Sequence, residues 1–448
     1  MNGAATGSIL RALEQENQQS KIAILMKKAF FALYFFFALF MPPVIPIDTK
    51  YLVIAFNVAI IGGTMILKGT FKCPKKVFFV LAGFLPFTLY LCCVQMIHAY
   101  LDSGNTSLYV SLLKSNFNVL LYLFVMVLAI VQMMNFFDLS IHDIIYYLFL
   151  ASMLQLFCVV AAFVLPPVKS LFISFIMRNS HDEILKKAVK KGTVYRCFGF
   201  ANNLFDSLGY IMSLCIAAVF LEGIAQKKLI YIVSGFLLLF ISLVNTRTGL
   251  LLSAVAFAII ALFYCKPKNI LIVGLCLPLI VFVSAKVLSL LPGTTAAWVT
   301  KGVEETSKLL SGNVDANSGT YNQILGKDLV FPEQLFLGAG ASPESIARYS
   351  GIDSGYIQCL WRYGGIGTAL LLFGYVNAFV IAFFTTREKH YRCLLVIDVA
   401  VFLIYLFKLF SFSNYGSAIV ILGIPVFILT HCALENERRQ KNWLRYIL

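Results

Sequence analysis

Apolar runs of about 20 residues recur along the whole chain, and this recurrence limits the possible folds more than any other feature. A helix of that length spans the roughly 30 Å hydrocarbon core of a bilayer. Of the 448 residues, 60% are hydrophobic and 13% are charged, whereas soluble globular proteins average about 45–50% and about 25%. The sequence therefore predicts an all-α, polytopic integral membrane protein and excludes an ordinary soluble enzyme.

The charged breaks between the apolar runs define about twelve candidate membrane spans. The spans lie near 28–46, 51–67, 77–98, 112–134, 144–166, 204–223, 228–244, 249–265, 269–291, 363–384, 393–410 and 415–433. We expect a single membrane domain over 1–448, with terminal tails at 1–27 and 434–448. Two long connections, at 167–203 and 292–354, separate the spans into groups.

Basic residues accumulate in alternate connections, which predicts the orientation of the chain. The residues that this alternation places on one side are Lys27, Lys28, Lys68, Lys72, Lys75, Lys76, Lys227, Lys228, Lys266, Lys268, Arg387, Lys389, Arg392, Arg438, Arg439, Lys441 and Arg445. The positive-inside rule makes that side cytoplasmic. Both termini are then cytoplasmic, and the loops at 167–203 and 292–354 are on the outer side.

Motifs for metals, cofactors and nucleic acids are not found in the sequence. The eleven cysteines include no CxxC pair, and the five histidines show no spacing typical of a metal site. We expect no cofactor, no metal and no nucleic-acid partner. Internal repeats of the kind that build many transporters are also not evident.

The loop at 167–203 is strongly basic, on the face where lysine and arginine are usually scarce. It carries seven basic and two acidic residues. The run Ser180 to Glu183 has the pattern of a capping box and predicts a short helix over ILKKAVKK. Four lysines share one face of that helix, namely Lys186, Lys187, Lys190 and Lys191. This face is either a solvated surface or a site that attracts an anionic headgroup.

Two arginines stand beside the outer ends of membrane spans. Arg196 precedes a glycine-containing turn and the amide of Asn202 at the start of the sixth span, a combination that suits a phosphate oxygen. Arg247 lies in a five-residue turn between two long apolar runs, where a charge is costly unless it is paired or faces water. The alternative for both is an arginine that only snorkels to the membrane surface.

A carboxylate and a guanidinium flank the start of the tenth span. Asp353 and Arg362 are separated by about 13.5 Å on a continuous helix, with Tyr356 between them, and could face opposite ends of an elongated substrate. Asp353 is either a general base or the N-cap of the span. The glycines at 364, 365 and 367 permit close packing of helices.

These segments, in this order, resemble the O-antigen polymerase and ligase superfamily of bacterial envelope enzymes. RCFGFANNLFDSLG is similar to the family's Arg-x-x-Gly-x-x-x-Asn element, and LVNTRTGLLLSAVAF is similar to its Ser/Thr-Arg-x-Gly turn. LGAG followed by DSGYIQCLWRYGGIG is similar to the pattern that closes the family's large outer loop. The resemblance covers roughly 195–370, whereas the first five spans match only in hydropathy.

The resemblance implies a GT-C-like membrane glycosyltransferase in the bacterial inner membrane. Such a polymerase joins undecaprenyl-pyrophosphate-linked repeat units at the outer face and works with a flippase and a chain-length regulator. Arg196 and Arg247 match the arginines expected to hold the pyrophosphate, and Asp353 stands where ligases carry histidine. Ser318-Gly319 is followed by threonine where many members have arginine, so Arg348 or Arg362 is expected to compensate.

Two other functions remain compatible with the sequence. An O-antigen ligase would transfer finished polymer to lipid A–core, although aspartate at 353 favours a polymerase. A polysaccharide flippase or other transporter would place charges along a central cavity, whereas most charges here lie at span ends. Asp398 is the main exception, because it lies deep within the eleventh span. A scaffold for a co-polymerase is a weaker third alternative.

Overall fold

The computed structural model describes residues 3–44, 49–179, 196–202, 206–264, 330–340, 354–408 and 415–447, together with 186, 190, 300 and 304. Apart from one 3-10 turn at Ser103–Asn105, the regular elements in these segments are α-helices. They are α1 (Gly3–Phe40), α2 (Thr49–Lys68), α3 (Lys75–Ala82), α4 (Leu85–Leu101), α5 (Thr106–Phe137), α6 (Ile141–Val164), α7 (Pro166–Asn179), α8 (Asp206–Gln226), α9 (Leu229–Asn245), α10 (Arg247–Tyr264), α11 (Gly355–Thr385), α12 (Lys389–Lys408) and α13 (Tyr415–Ile447).

Within the described segments, nine helical stretches are long and apolar enough to cross a membrane. Helices α9 and α10 are apolar but shorter. By length and composition the chain is a polytopic membrane protein, as the sequence predicts. Eleven of the twelve predicted spans coincide with these helices, and the predicted span at 269–291 lies outside the described residues.

Local sequence explains where several helices begin and end. Helix α5 ends at Phe137, and its C-cap, Asp138, adopts the left-handed conformation (φ 53°). Helix α6 begins with a capping box, in which Ser140 and Asp143 satisfy each other's backbone N–H groups. Helix α6 stops at Val164, and Leu165 alone separates it from the proline pair that opens α7, because proline restricts the residue that precedes it.

Helix α8 is the centre of the bundle. In its span, Ser207–Gln226, 83% of the residues in the most apolar stretch are buried inside the protein. The corresponding share in the peripheral span Thr49–Lys68 is 17%. Helices α6, α9, α10, α12 and α13 all pack against α8. The segments that follow and precede α8 in the chain are therefore close to the middle of the molecule rather than at its edge.

The helix ends that the charge alternation assigns to one side do lie together. We call this face the basic end; it includes Lys68, Lys76 and Arg438. Lys68 Nζ donates to the backbone carbonyls of Asn135 and Phe136, and Lys76 Nζ donates to Thr385 Oγ1. The opposite face, which carries the segments 196–202 and 330–340, is called the loop end.

Two local expectations are wrong. The five-residue turn expected around Arg247 is much tighter, because only Thr246 separates α9 from α10. Helix α11 begins eight residues before the predicted tenth span, at Gly355, and its N-cap is Ser354. The alternative role of Asp353 as an N-cap concerns a residue outside the described segments.

Candidate functional site

Segment 196–202 is held against the helix bundle by hydrogen bonds to its backbone groups. Gln155 Nε2, a buried amide on α6, donates to the carbonyl oxygen of Phe198 at 2.7 Å. The backbone N–H of Asn202 donates to the carbonyl of Phe40, at the end of α1, at 2.9 Å. Both ends of the arginine motif are therefore fixed relative to the bundle.

The turn within this segment requires glycine. Gly199 has φ of 62°, and a Cβ there would lie 2.8 Å from Val159 Cγ2 on α6. Glycine adopts this left-handed conformation at no steric cost, whereas other residues do not. The glycine that the sequence identifies as a flexible turn thus allows a close, fixed approach of the loop to α6.

The motif of Arg196 and the turn of Arg247 meet through a buried amide. The backbone N–H of Cys197 donates to Asn245 Oδ1 at 3.2 Å, and Asn245 Nδ2 donates to the carbonyl of Ile241 at 2.9 Å. Asn245 is the last residue of α9, and Arg247 is the first residue of α10. Arg196 is therefore one residue from Cys197, and Arg247 is two residues from Asn245, so the same hydrogen bond holds the backbones of both arginines near each other.

A glycine contact reinforces this meeting. A Cβ on Gly209 would lie 2.8 Å from the Cα of Gly249, so the starts of α8 and α10 touch backbone to backbone. Small residues permit such approaches between membrane helices. Both glycines belong to the two arginine motifs, although the sequence alone does not pair them.

Arg196 lines a shallow crevice together with a second cation, Lys169. The wall of this crevice is apolar and comes from the α7 side chains Phe172, Ile173 and Ile176. Burial raises the pKa of the Cys197 thiol at the same place, while the ammonium of Lys169 acts in the opposite sense. The crevice encloses about 10 Å³, room for roughly one water molecule, so it marks where two cations lie beside an apolar wall rather than a formed lipid pocket. Lys169 is a site residue that sequence reasoning missed, although it belongs to the basic loop.

The glycines near the start of α11, in the run WRYGGIG, pack against the segment 330–340 that precedes this helix. Gly364 interrupts α11 with φ 66° and ψ −178°, a conformation essentially restricted to glycine. The freed N–H groups of Gly365 and Ile366 donate to the carbonyls of Leu335 and Phe336, at 2.7 and 3.2 Å. A Cβ on Gly338 would lie 2.5 Å from the N of Gly364. The LGAG run (337–340) and the Gly-Gly run (364–365) therefore pack directly against each other, and we call this pair of segments the glycine structure.

Helix α4 anchors this glycine structure to the bundle. Gln95 Nε2, which is buried, donates to the carbonyl of Gly340 at 2.7 Å, and Tyr90 OH donates to the carbonyl of Tyr363 at 2.8 Å. Neither residue was expected at the site, because a lone polar side chain in an apolar span gives no indication of its partner.

Helix α12 lies between the arginine motifs and the glycine structure. Ser207 Oγ, at the start of α8, is 3.1 Å from Tyr405 OH on α12. Two residues further along α12, the ring of Phe407 is 5.4 Å from that of Tyr356. The three motifs are therefore all at the loop end and share a neighbour.

The expected site residues fall into three groups. Arg196, Asn202, Tyr356 and Arg362 are half-buried residues of the loop end, where Arg247 also begins α10. Lys186 and Lys190 have helical backbone, and Lys190 is exposed. The expectations for Lys187, Lys191, Arg348 and Asp353, and for the capping box at Ser180, concern residues outside the described segments.

A second polar cluster lies at the basic end, and sequence reasoning missed it. His142 Nδ1 is 2.6 Å from Oε1 of the buried Glu222, which also accepts a hydrogen bond from Gln226 Nε2. The rings of His390 and His431 lie 6.2 and 6.3 Å from that of His142. The histidines come from α6, α12 and α13, so their spacing in the sequence gives no signal. The described His, Cys, Asp and Glu residues contain no group of three that could hold a metal ion.

The loop end thus combines two linked arginine motifs, a cationic crevice with an apolar wall and a rigid glycine structure. Side-chain amides and glycines position these features, and the central helix α8 supports them. Comparisons of the chain with protein-family models, with curated proteins and with solved structures each find no match.

Proposed function

We propose that the chain is a membrane glycosyltransferase that polymerises oligosaccharide repeat units carried on undecaprenyl pyrophosphate. One observation carries the proposal: the Cys197–Asn245 hydrogen bond holds the motif of Arg196 against the turn of Arg247. Two arginines whose backbones lie one and two residues from one hydrogen bond suit the two phosphates of a pyrophosphate, because arginine binds phosphate oxygens through a planar, bidentate fork.

The proposed reaction is the attack of an acceptor hydroxyl on the anomeric carbon of the donor sugar. The C–O bond to the pyrophosphate breaks, and the leaving group takes the bonding electrons. Fixed cations stabilise the negative charge that develops on it. In this proposal Arg196 and Arg247 hold the leaving group, and Arg348 or Arg362 assists. Asp353 accepts the hydroxyl proton.

The surface around Arg196 offers the donor a cationic point of attachment beside an apolar helix face, although the crevice itself encloses only about 10 Å³. Lys169 and Arg196 supply positive charge, and Phe172 and Ile176 supply an apolar surface. A prenyl pyrophosphate presents the same combination of an anionic head and a hydrocarbon chain. In this proposal the lysines at 186, 187, 190 and 191 attract the donor, and Asn202 and Tyr356 contact its sugars.

The proposal places the loop end at the outer face of a bacterial inner membrane, with both termini in the cytoplasm. The basic end, with Lys68, Lys76 and Arg438, is then the cytoplasmic face, as the positive-inside rule requires. A flippase would deliver the repeat units, and a chain-length regulator would act as a partner of the polymerase.

Substitution of Arg247 tests the proposal. Arg247→Lys keeps the charge but loses the bidentate fork, and we expect activity to fall by about 10²–10³, the range for one lost transition-state donor. Arg247→Ala should be at least as damaging. The measurement is the length distribution of surface glycan in a complemented deletion strain, at matched protein levels.

The matched control is Arg439→Ala, an exposed arginine on α13 at the basic end. This variant should leave the glycan ladder unchanged. Near-normal ladders from Arg247→Ala at equal expression would exclude Arg247 from the site and leave it as a snorkelling arginine.

A second candidate function is transport of the same lipid-linked repeat unit. The observation that favours it is the fully buried carboxyl of Asp398 in the middle of α12, because ionisable groups within membrane spans often mark transport pathways. A deletion strain separates the candidates. Single repeat units at the outer face indicate a polymerase, single units trapped at the cytoplasmic face indicate a flippase, and polymer left on its carrier indicates a ligase.

A further inference from the structure

Asp398 is a buried acidic side chain without a hydrogen-bond partner among the described residues. It lies in the middle of α12 with 0% of its surface exposed, and neither carboxyl oxygen makes a hydrogen bond there. Buried polar groups in proteins are nearly always satisfied, so such an exception requires a physical explanation.

A second unsatisfied polar group lies on α8, which packs against α12. Tyr210 is also fully buried, its hydroxyl makes no hydrogen bond to any described residue, and it interacts electrostatically with Asp398. The Tyr210 ring stacks on that of Tyr405 with 4.5 Å between centroids, and Tyr405 OH is 3.1 Å from Ser207 Oγ. We call Ser207, Tyr210, Tyr405 and Asp398 the polar column.

The polar column runs from the loop end towards the middle of the bundle. Ser207 is the second residue of α8 and lies next to the arginine motifs, whereas Asp398 is about 10 Å deeper than Tyr405 along α12. Tyr375, on α11, is a further titratable group that interacts with Tyr210. No described lysine, arginine or histidine forms an ion pair with Asp398.

We propose that Asp398 is a membrane-buried proton-binding site whose proton exchanges with water at the loop end through the polar column. An isolated carboxylate is strongly disfavoured in an apolar interior, so the form that fits these surroundings is the neutral acid. In this proposal the O–H of the acid exchanges its proton with the Tyr210 hydroxyl through a water molecule, since the two groups interact electrostatically and neither has a hydrogen-bond partner among the described residues. When Asp398 loses its proton to water, an unpaired charge remains between α8 and α12, so the packing of these helices depends on the proton.

Covalent labelling with dicyclohexylcarbodiimide tests this inference without any assay of glycan synthesis. This apolar reagent adds to a protonated carboxyl group and forms a stable N-acylurea, which mass spectrometry locates in the sequence. In native membranes we expect labelling of Asp398 at neutral and acidic pH, and about tenfold less labelling for each pH unit above the point where the acid ionises. Asp398→Asn should lose the label at this position while the protein still folds, since asparagine has nearly the same shape.

Glu222 is the matched control carboxyl. It is as buried as Asp398 but is paired with His142 and Gln226 at the basic end, so it should take up much less label. Equal labelling of the two residues, labelling of Asp398 that does not change with pH, or no labelling of Asp398 would each contradict the proposal. Protection by sodium ions at constant pH would also overturn it and indicate a metal-cation site.

Discussion

The two ends of the helix bundle are held together by different kinds of contact. The basic end combines buried contacts, such as those of Glu222 and Gln132, with partly exposed ion pairs: Arg438 pairs with Asp138, and Lys72 lies 3.5 Å from Glu437. At the loop end, buried side-chain amides bind the backbone of loops. The amides are those of Gln95, Gln155, Asn179 and Asn245, which bond to Gly340, Phe198, Pro43 and Cys197.

The two kinds of contact differ in how much they contribute to the free energy of unfolding. An exposed ion pair contributes about 0–1 kcal/mol, and salt weakens it. Removing one partner of a buried hydrogen bond costs about 1–3 kcal/mol, because the other group remains unsatisfied. The basic end is therefore suited to fixing orientation in the membrane, and the loop end is suited to holding one loop conformation.

The glycines follow the same division. Among the described residues, the positive-φ glycines of the loop end are Gly199, Gly338, Gly340 and Gly364, whereas the basic end has Gly69 alone. Such conformations are concentrated at functional sites, where the surrounding contacts determine them. The comparison thus indicates that the loop end is the part of the molecule whose backbone is held in one conformation.

Cysteine labelling gives the largest effect, because it is all or none. In a variant without native cysteines, Gln334→Cys at the loop end should react with a membrane-impermeant maleimide in intact spheroplasts. Lys228→Cys, between α8 and α9, should react only after permeabilisation. Both side chains are exposed. The reverse pattern would exchange the two faces and place the candidate site in the cytoplasm.

Gly364→Ala should produce the largest loss of stability. A Cβ at this position would overlap the carbonyl oxygen of Phe336, and the φ/ψ angles themselves are strained for any other residue. We expect a loss of at least about 3 kcal/mol in the free energy of unfolding, or failure to recover folded protein. Thermal unfolding of the purified protein in detergent, followed by size-exclusion chromatography, measures this.

The neighbouring glycine supplies a matched control. A Cβ on Gly365 would be 3.5 Å from the nearest atom, the carbonyl oxygen of Leu335, which is an ordinary van der Waals distance. Gly365→Ala should therefore change the free energy of unfolding by no more than about 0.5 kcal/mol. If both variants lose the same stability, the special conformation of Gly364 is not what holds the loop.

The sequence predicts the spans and their alternation because both depend on local patterns. Apolar runs and charged breaks are visible within windows of about 20 residues, and eleven spans agree with described helices. The three motifs of the site are also visible, since Arg196, Arg247 and Gly364 stand at unusual positions in an apolar sequence.

The contacts between the motifs could not be predicted. Gln155 and Asn245 are single polar residues in apolar spans, and nothing in their neighbourhood identifies Phe198 or Cys197 as a partner. The left-handed conformation of Gly364 likewise depends on a loop that lies some 25 residues earlier in the chain. Long-range pairing of this kind is set by the packed bundle rather than by local propensity.

The smallest expected effects compare one contact from each end. Gln155→Leu removes the hydrogen bond to the Phe198 carbonyl in a buried site, and should cost about 1–3 kcal/mol in the free energy of unfolding. Arg438→Ala removes the ion pair with Asp138, whose side chains are 47% and 69% exposed, and should cost at most about 1 kcal/mol.

Salt separates the two effects. The cost of Arg438→Ala should nearly vanish when detergent unfolding is measured in about 1 M NaCl, where charges are screened within about 3 Å. The cost of Gln155→Leu should not change, since a buried amide carries no net charge. Asp138→Asn is the matched variant of the ion pair, because asparagine also tolerates the left-handed conformation that Asp138 adopts at the end of α5. A salt-independent loss of more than about 2 kcal/mol from Arg438→Ala would show that the basic end, like the loop end, depends on specific contacts.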